Sequence, residues 1–248
     1  MRPEAPLPTH PWRLAEQLSP PAPALPGGPP AAGRLADPPL VLSLDRCEPL
    51  PEPLRQALLA SLAPAEHQRL GALRQLADRE RFLRGRAALR LLLGAWLSLP
   101  PAAVPLEAGP HGKPHCPGGP AFNVSHSGDL ILLALHPSRP VGVDVEQARP
   151  DLDWRPIARR VLPAATAEAL EQLAAGGESG AAADGFLRAW CRLEAGLKAR
   201  GLGLAGLGEP PQGMAVWEVA VPAGYRAAVA LMAHPAAAAG ACPPDPPG

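Results

Sequence analysis

The chain has 248 residues, with 23 basic and 23 acidic side chains and therefore a formal net charge of zero. This balance gives no general attraction to nucleic acid or to anionic lipid, so we expect no nucleic-acid or membrane partner. No apolar run reaches the ~20 residues that span a bilayer, and the N-terminus lacks a secretory signal pattern. These features predict a soluble, cytoplasmic protein that is long enough to bury a core.

The 36 prolines are unevenly distributed, with the highest density at the two ends of the chain. Residues 1–36 are rich in proline and show little periodicity, which predicts a flexible arm. Residues 235–248 have a similar Pro/Ala/Gly composition and are predicted to form a disordered tail. The folded part therefore lies between these two segments.

Within the folded part, hydrophobic periodicity and turn residues predict short strands alternating with helices. The predicted elements, in chain order, are a strand at 41–44, helices at 52–62, 64–76 and 79–99, strands at 122–125, 130–135 and 141–145, helical structure at 154–174, a glycine-rich segment at 175–185, a helix at 186–200 and a hairpin of strands at 214–221 and 225–232. Helices beside short antiparallel strands indicate an α+β fold.

Lysine is nearly absent from this arginine-rich chain, and only Lys113 and Lys198 remain. An arginine cannot replace a lysine that must present a compact ammonium or release a proton. Both lysines are therefore candidates for chemistry, although chance survival at the surface explains them equally well.

The four cysteines show no CxxC pairing, so reduced thiols are expected in a cytosolic chain. His111, His115 and Cys116 lie close together in a Pro/Gly loop, but no second ligand pair follows at a zinc-site spacing. We therefore predict no zinc site.

Two carboxylates alternate along the predicted strand Val141–Glu146. Asp144 and Glu146 point to the same face of an extended segment and would repel each other unless something neutralises them. Oxygen ligands of this kind suit Mg²⁺ held jointly with phosphate oxygens. Alternatively, the strand ends here and both carboxylates face water.

Glu194 and Lys198 are four residues apart on the last predicted helix and therefore share one face. An ordinary helix ion pair is one interpretation. The other is that Glu194 meets Asp144 and Glu146 as a third metal ligand, or acts as a general base, while Lys198 lies near a phosphate.

The segment Asn123–Gly128 places hydroxyl and imidazole donors between two predicted strands, an arrangement that suits phosphate. Ser125 and His126 are consecutive on a strand, so they face opposite sides and do not form a catalytic dyad. Plain turn formation explains the segment equally well. The further cations are Arg81, Arg84, Arg86 and Lys113, which suit a polyanionic ligand or a solvated helix face.

The order of these motifs resembles the Sfp-type 4′-phosphopantetheinyl transferases. It runs from the arginine helix through Gly112-Lys113-Pro114, Phe122–Ser127 and Gly142–Glu146 to the helix segment Trp190–Lys198. The resemblance covers about residues 41–233. It implies two pseudo-symmetric α/β halves in one chain, at 37–139 and 140–234, with the metal site in the second half.

The resemblance also implies a reaction and its residues. The phosphopantetheine arm of coenzyme A would move to a serine of an acyl, peptidyl or polyketide carrier protein, with Mg²⁺ present and 3′,5′-ADP released. It implies metal ligands Asp144, Glu146 and Glu194, with Glu194 also the base and Lys198 acting on the leaving phosphate. It implies coenzyme A contacts from Arg81, Arg86, Lys113, Ser125, His126 and Lys198, in a monomer.

The sequence departs from the family pattern at two positions. Leu193 stands where a lysine commonly precedes the glutamate, so either a cation is missing or Arg192 partly substitutes for it. Leu202 replaces the lysine of a frequent Gly-Lys-Gly. The alternative functions are a non-catalytic coenzyme A or carrier-binding homologue and a Mg²⁺-dependent pyrophosphohydrolase.

Overall fold

A computed structural model describes residues 5–14, 38–109, 112–203, 207 and 213–233 of the chain. The architecture is α+β, as predicted. The strands are β1 (His10–Pro11), β2 (Leu40–Asp45), β3 (Glu107–Ala108), β4 (Pro114–His115), β5 (Ala121–Ser127), β6 (Leu130–His136), β7 (Val141–Gln147), β8 (Met214–Glu218) and β9 (Tyr225–Met232). The helices are α1 (Glu52–Ala60), α2 (Pro64–Ala72), α3 (Leu76–Leu97), α4 (Arg155–Val161), α5 (Ala164–Ala175) and α6 (Ser179–Arg200). None of the helices in these described ranges has the length and apolarity that crossing a bilayer requires.

The first sheet has the strand order β1-β2-β6-β5 and carries helices α1–α3 on one face. Strand β6 is buried along its whole length, so both of its faces must be covered. Ile131, Leu133 and Leu135 pack against the helices, whereas Leu130 and Leu132 pack in a different core. The period-2 alternation of the strand therefore divides its side chains between two cores.

The second sheet has the order β7-β9-β8 and packs face to face against the first sheet. Val143 and Val145 of β7 enter the core between the sheets, together with Leu132 of β6. Helix α6 covers the opposite face of the second sheet, where Ala195 and other small side chains permit close packing. The layers are therefore helix, sheet, sheet and helix.

Each sheet is assembled in the same chain order. A first strand (β2 or β7) precedes three helices, two further strands follow, and the last strand takes the central position between the other two. Strand β1 is an addition to the first sheet, and β3 and β4 form a separate two-stranded sheet. Within each set of three strands (β2, β5 and β6, or β7, β8 and β9) the pairings are antiparallel, whereas β1 pairs in parallel with β2.

The edge strands β5 and β7 lie beside each other and are joined by side chains of β5. Asn123 Oδ1 accepts a hydrogen bond from the Val143 amide at 2.9 Å, and Ser127 Oγ accepts one from the Gln147 amide at 3.1 Å. Unpaired edge amides need partners when they are covered, and short polar side chains supply them here. The polar side chains of β5 thus join the two sheets along the line where β5 meets β7, which we call the seam.

Helix α6 begins at Ser179, so the predicted start at Phe186 is wrong and most of the glycine-rich segment at 175–185 is helical. The segment contains consecutive alanines, which have the highest helix propensity, and Ala182 is fully buried against the α4–α5 helices. Burial of this face outweighs the cost of the nearby glycines.

The predicted helical stretch 154–174 is two helices, α4 and α5, separated at Leu162-Pro163. Leu162 has an extended backbone (φ −93°, ψ 157°), as the residue before a proline prefers. Pro163 then serves as the N-cap of α5, so the proline begins a new helix instead of continuing the old one.

Part of the predicted flexible arm belongs to the folded body. Strand β1 pairs in parallel with β2, and the side chains of Trp12 and Leu14 are only 1% exposed in the first core. Burial of a large aromatic side chain removes a large apolar area from water, and this favours ordering of the segment. The prediction of flexibility is therefore wrong for residues 5–14, whereas residues 15–36 and the predicted tail 235–248 lie outside the described residues.

Candidate active site

A cleft of about 370 Å³ opens where β5, β7 and α6 meet. We call it the acidic cleft. Its charged and polar lining residues are Ser125, His126, Asp144, Glu146, Glu194 and Lys198. The fold thus brings together the carboxylates predicted on two distant segments, with Lys198 beside them.

Asp144 is 4% exposed and lies at the floor of the acidic cleft. Its Oδ1 accepts hydrogen bonds from Lys198 Nζ at 2.5 Å and from Ser125 Oγ at 3.1 Å. Lys198 Nζ also donates to Ser125 Oγ at 3.2 Å. The other carboxylate oxygen, Oδ2, is buried and has no hydrogen-bond partner. A buried carboxylate oxygen left unpaired is costly, so this atom is poised to receive a ligand.

Glu146 and Glu194 face the same cleft from β7 and α6. Ser127 Oγ donates to Glu146 Oε2 at 3.0 Å, which fixes the outer carboxylate of the strand. Burial raises the pKa of Glu194, and the charges of Asp144 and Glu146 raise it further while Lys198 lowers it. Glu194 therefore experiences the negative charge of the two strand carboxylates.

The acidic cleft has the donor chemistry for a divalent cation, although across the described ranges no three His, Cys, Asp or Glu side chains are grouped closely enough to hold one. The unpaired Oδ2 of Asp144 and the like-charge effect on Glu194 are two signs of uncompensated negative charge. Hard carboxylate oxygens are the ligands that Mg²⁺ prefers. The residues present are chemically suited to Mg²⁺.

A second cleft of about 380 Å³ adjoins the first and shares the lining residues Val124 and His126 with it. We call it the arginine cleft, because Arg69, Arg81 and Arg86 line it. Arg81 donates to the Gly128 carbonyl at 2.8 Å and pairs with Asp78. Desolvation lowers the pKa of His126, and the Arg81 charge lowers it further. Two of the predicted arginines and the predicted histidine therefore share one cationic cleft.

The predicted arginine cluster divides between two roles. Arg84 is 3% exposed and donates to the carbonyl of Glu48 at 2.6 Å, so it is a structural residue of the core. Arg86 faces the arginine cleft, where its guanidinium lies 5.8 Å from the Phe82 ring centre. Burial lowers the pKa of Arg86. Helical spacing alone does not predict these roles, because Arg84 has the spacing that shares a face with Arg81, yet Arg86 is the residue that lines the same cleft.

Lys113 lines neither the acidic cleft nor the arginine cleft. Its Nζ donates to the carbonyls of Lys198 at 2.6 Å, of Val141 at 2.9 Å and of Ala199 at 3.5 Å. Burial lowers the pKa of Lys113 to about 8. The structure therefore places the Lys113 ammonium on backbone carbonyls, including that of Lys198, and in neither of the two clefts.

The two departures from the family pattern also have defined places. Leu193 packs against the core formed by α4, α5 and α6. Arg192 is exposed and donates to the Val216 carbonyl of β8 at 3.5 Å, so it does not substitute for a cation in the acidic cleft. Leu202 lines a separate cavity of about 650 Å³ beside Lys113.

Three site residues were missed by sequence reasoning. Trp190 lines the acidic cleft one helical turn before Glu194, and its i, i+4 spacing was a usable signal. Ser127 holds Glu146, and it shares the seam face of β5 with Ser125. Phe82 lines the arginine cleft between two guanidiniums and also packs against the first core.

Comparison with known proteins shows which family the chain belongs to. Residues 140–239 match the family model for the 4′-phosphopantetheinyl transferase superfamily, and residues 47–138 match the model for the N-terminal part of a 4′-phosphopantetheinyl transferase. The chain is 35% identical over 164 residues to 4′-phosphopantetheinyl transferase HetI of Nostoc sp., covering 64% of this chain and 68% of HetI.

Two further relatives are matched by this chain over a smaller fraction of their own length than HetI is. The L-aminoadipate-semialdehyde dehydrogenase-phosphopantetheinyl transferase of Xenopus laevis is 32% identical over 152 residues, covering 57% of this chain and 50% of that protein. The 4′-phosphopantetheinyl transferase AcpT of Salmonella typhimurium is 41% identical over 114 residues, covering 45% and 56%. With both parts of the chain matched and HetI covered over two thirds of its length, this protein belongs to the 4′-phosphopantetheinyl transferase superfamily.

Proposed function

We propose that this protein transfers the 4′-phosphopantetheine arm of coenzyme A to a serine of an acyl, peptidyl or polyketide carrier protein and releases 3′,5′-ADP. The observation that carries the proposal is the convergence of Asp144, Glu146, Glu194 and Lys198 in one cleft that continues into the arginine cleft. A diphosphate ester with a phosphorylated nucleotide needs both an acidic, metal-binding part and a cationic part.

In the proposed reaction, the serine hydroxyl of the carrier attacks the pantetheine-linked phosphorus of coenzyme A. A new oxygen–phosphorus bond forms, the bond to the bridging pyrophosphate oxygen breaks, and 3′,5′-ADP leaves. Glu194 accepts the serine proton, a role that suits a carboxylate whose pKa burial has raised. The Lys198 ammonium lies at the cleft floor and stabilises the leaving phosphate.

We propose that Mg²⁺ is held by Asp144, Glu146 and Glu194. When bound, the ion would neutralise pyrophosphate charge and align the reacting oxygens. The support is the unpaired buried Oδ2 of Asp144 and the like-charge effect on Glu194. Lys198 already occupies Oδ1 of Asp144, so it leaves Oδ2 for the ion.

The coenzyme A nucleotide is assigned to the arginine cleft. Arg81 and Arg86 would hold its phosphates, with His126 at the junction with the acidic cleft and Ser125 beside the pyrophosphate. Guanidinium groups suit phosphate because their fork of donors matches its oxygens. Lys113 is left out of this assignment, because its ammonium is already bound to backbone carbonyls.

We also propose that residues 37–139 and 140–234 are two pseudo-symmetric halves. The same order of strand, three helices and two strands in each sheet supports this. Because both clefts are formed within one chain, we propose a monomer, which light scattering during size-exclusion chromatography would test. The described cysteines are free, in keeping with a reducing cytoplasm.

The decisive experiment is intact-mass analysis of several carrier proteins incubated with the enzyme, coenzyme A and Mg²⁺. We expect a mass increase of one phosphopantetheine arm, which disappears with a chelator or with the Asp144→Ala variant. The matched control is Asp153→Ala, an exposed carboxylate outside the described clefts. No added arm on any carrier, with the wild-type protein folded, would refute the transferase.

The same assay separates the alternative functions. A pyrophosphohydrolase would release 3′,5′-ADP when the carrier is omitted. A non-catalytic homologue would bind coenzyme A in calorimetry but neither modify a carrier nor release nucleotide.

A further inference from the structure

The side chain of Lys113 links the loop between β3 and β4 to the C-terminal end of α6. The residue lies immediately before β4, and its ammonium donates to the carbonyls of Lys198 and Ala199 in the last turn of the helix. The third acceptor is the carbonyl of Val141, the first residue of β7. One side chain therefore links a loop, a helix end and a strand start.

The last turn of a helix lacks intrahelical donors for its carbonyls and carries the negative end of the helix dipole. Gly201 supplies part of the cap, since its amide donates to Leu197 at 3.0 Å and to Lys198 at 3.2 Å. Lys113 supplies a cation as well as hydrogen bonds, and its stem lies 3.8 Å from the position that a Gly201 Cβ would occupy. The ammonium is thus a charged cap from outside the helix.

The capped turn contains the backbone of Lys198, whose side chain reaches Asp144 in the acidic cleft. The Lys198 residue is thus held at both ends, by Lys113 on its carbonyl and by Asp144 on its ammonium. Fixing the carbonyl limits how far this turn can slide or rotate relative to β7. Small displacements of a group that acts on the reacting phosphate strongly lower the reaction rate.

We propose that Lys113 is a positioning residue, which acts by fixing the last turn of α6 against β7 so that the Lys198 ammonium stays on Asp144 and Ser125. The inference rests on the proposed transferase function. It differs from the expectation that Lys113 contacts a coenzyme A phosphate, and the two roles have opposite kinetic consequences.

The first test is steady-state transfer kinetics of Lys113→Met against wild type. We expect kcat to fall by about tenfold to a hundredfold while KM for coenzyme A changes less than about twofold. Lys113→Arg retains a cation and N–H donors, so it should recover most of kcat. His115→Ala is the matched control, because His115 lies two residues away in β4, is exposed and pairs with Glu107. A raised KM at unchanged kcat would overturn the proposal.

The second test is a double-mutant cycle with Lys198. If Lys113 acts through Lys198, Lys113→Met combined with Lys198→Met should be no slower than Lys198→Met alone. Rate losses that multiply would contradict the proposal, because independent roles on the phosphates predict multiplication.

The third test does not depend on activity. Amide hydrogen exchange in the last turn of α6 should quicken at least about tenfold in Lys113→Met and stay unchanged in His115→Ala. If Lys113→Met does not fold, Lys113→Gln replaces it, since the amide keeps two donors without the charge. Unaltered exchange would overturn the positioning role. Absence of transfer by the wild-type enzyme would refute the proposed function without affecting this result.

Discussion

At the residue scale, the two lysines that composition singled out have different places. Lys198 lies in the acidic cleft, where its ammonium donates to Asp144 and Ser125, whereas Lys113 binds backbone carbonyls. The two contacts of Lys198 favour a compact ammonium over a planar guanidinium. Rarity of lysine therefore identified two constrained residues, but it did not distinguish a side chain in the site from one that supports it.

Lys198→Arg should lose most of the transfer activity, at least about tenfold in kcat, although the charge is kept. The wider guanidinium cannot reproduce a point contact at 2.5 Å to Asp144 and at 3.2 Å to Ser125 at once. Carrier modification under saturating coenzyme A measures the effect. Arg200→Lys, two residues after Lys198 and outside the lining of the acidic cleft, is the control and should retain activity. Wild-type turnover by Lys198→Arg would show that any cation suffices there.

At the element scale, the placement of α6 on β7 depends on a strand position without a side chain. A Cβ on Gly142 would lie 2.1 Å from the Ala195 carbonyl oxygen and 2.3 Å from the Ala199 amide nitrogen. The helix backbone therefore rests directly on the strand, between the valines that face the other way. This close approach lets Glu194 and Lys198 of α6 reach the carboxylates of β7.

Gly142→Ala should destabilise the fold by about 3 kcal/mol or more, because backbone atoms on both sides must move to admit the methyl group. The free energy of unfolding in urea measures the change. The control is Gly180→Ala in α6, where nothing lies within 4 Å of the new Cβ. This substitution should change the free energy of unfolding by between zero and about 1 kcal/mol in the stabilising direction. Equal stability of Gly142→Ala and wild type would mean that α6 is not seated on β7 as described.

At the scale of the whole molecule, the N-terminal segment bridges the two sheets. Its strand β1 extends the first sheet, while Leu7 forms a parallel bridge to Val219 next to β8. The Leu7 amide donates to the Glu218 carbonyl at 2.8 Å, and the Leu7 carbonyl accepts from Ala220 at 2.8 Å. Trp12 then anchors the segment in the first core. The segment therefore stabilises the relative placement of the sheets.

Trp12→Ala should lower the free energy of unfolding by about 3–5 kcal/mol, as expected for removal of a buried aromatic side chain. Chemical denaturation of the full chain provides the measurement. Leu76→Ala is the comparison, because that side chain is 71% exposed and its loss should change stability by less than about 0.5 kcal/mol. A Trp12→Ala variant as stable as Leu76→Ala would show that the segment does not contribute to the core.

Helix and strand positions were predictable wherever one face of the element is apolar. Strand β9 at Tyr225–Met232 matches its predicted range, and the other central strands differ by a few residues at their ends. The errors arose where local signals conflict with tertiary burial. Ala182 extends α6 through a glycine-rich segment because its face is buried, and Trp12 orders a proline-rich one for the same reason.

The sequence by itself determined the chemistry that the chain carries: two alternating carboxylates, a glutamate and a lysine one helical turn apart, and arginines spaced along a helix. Residue type and local period are written in the order of the chain, so they can be recognised without a fold. The tertiary structure decided which of these groups meet. In the fold, Glu194 lines the same cleft as Asp144, Lys113 binds the end of α6 and Arg192 contacts β8. Distances between groups so far apart in sequence depend on how the sheets and helices pack, which residue type and local period do not specify.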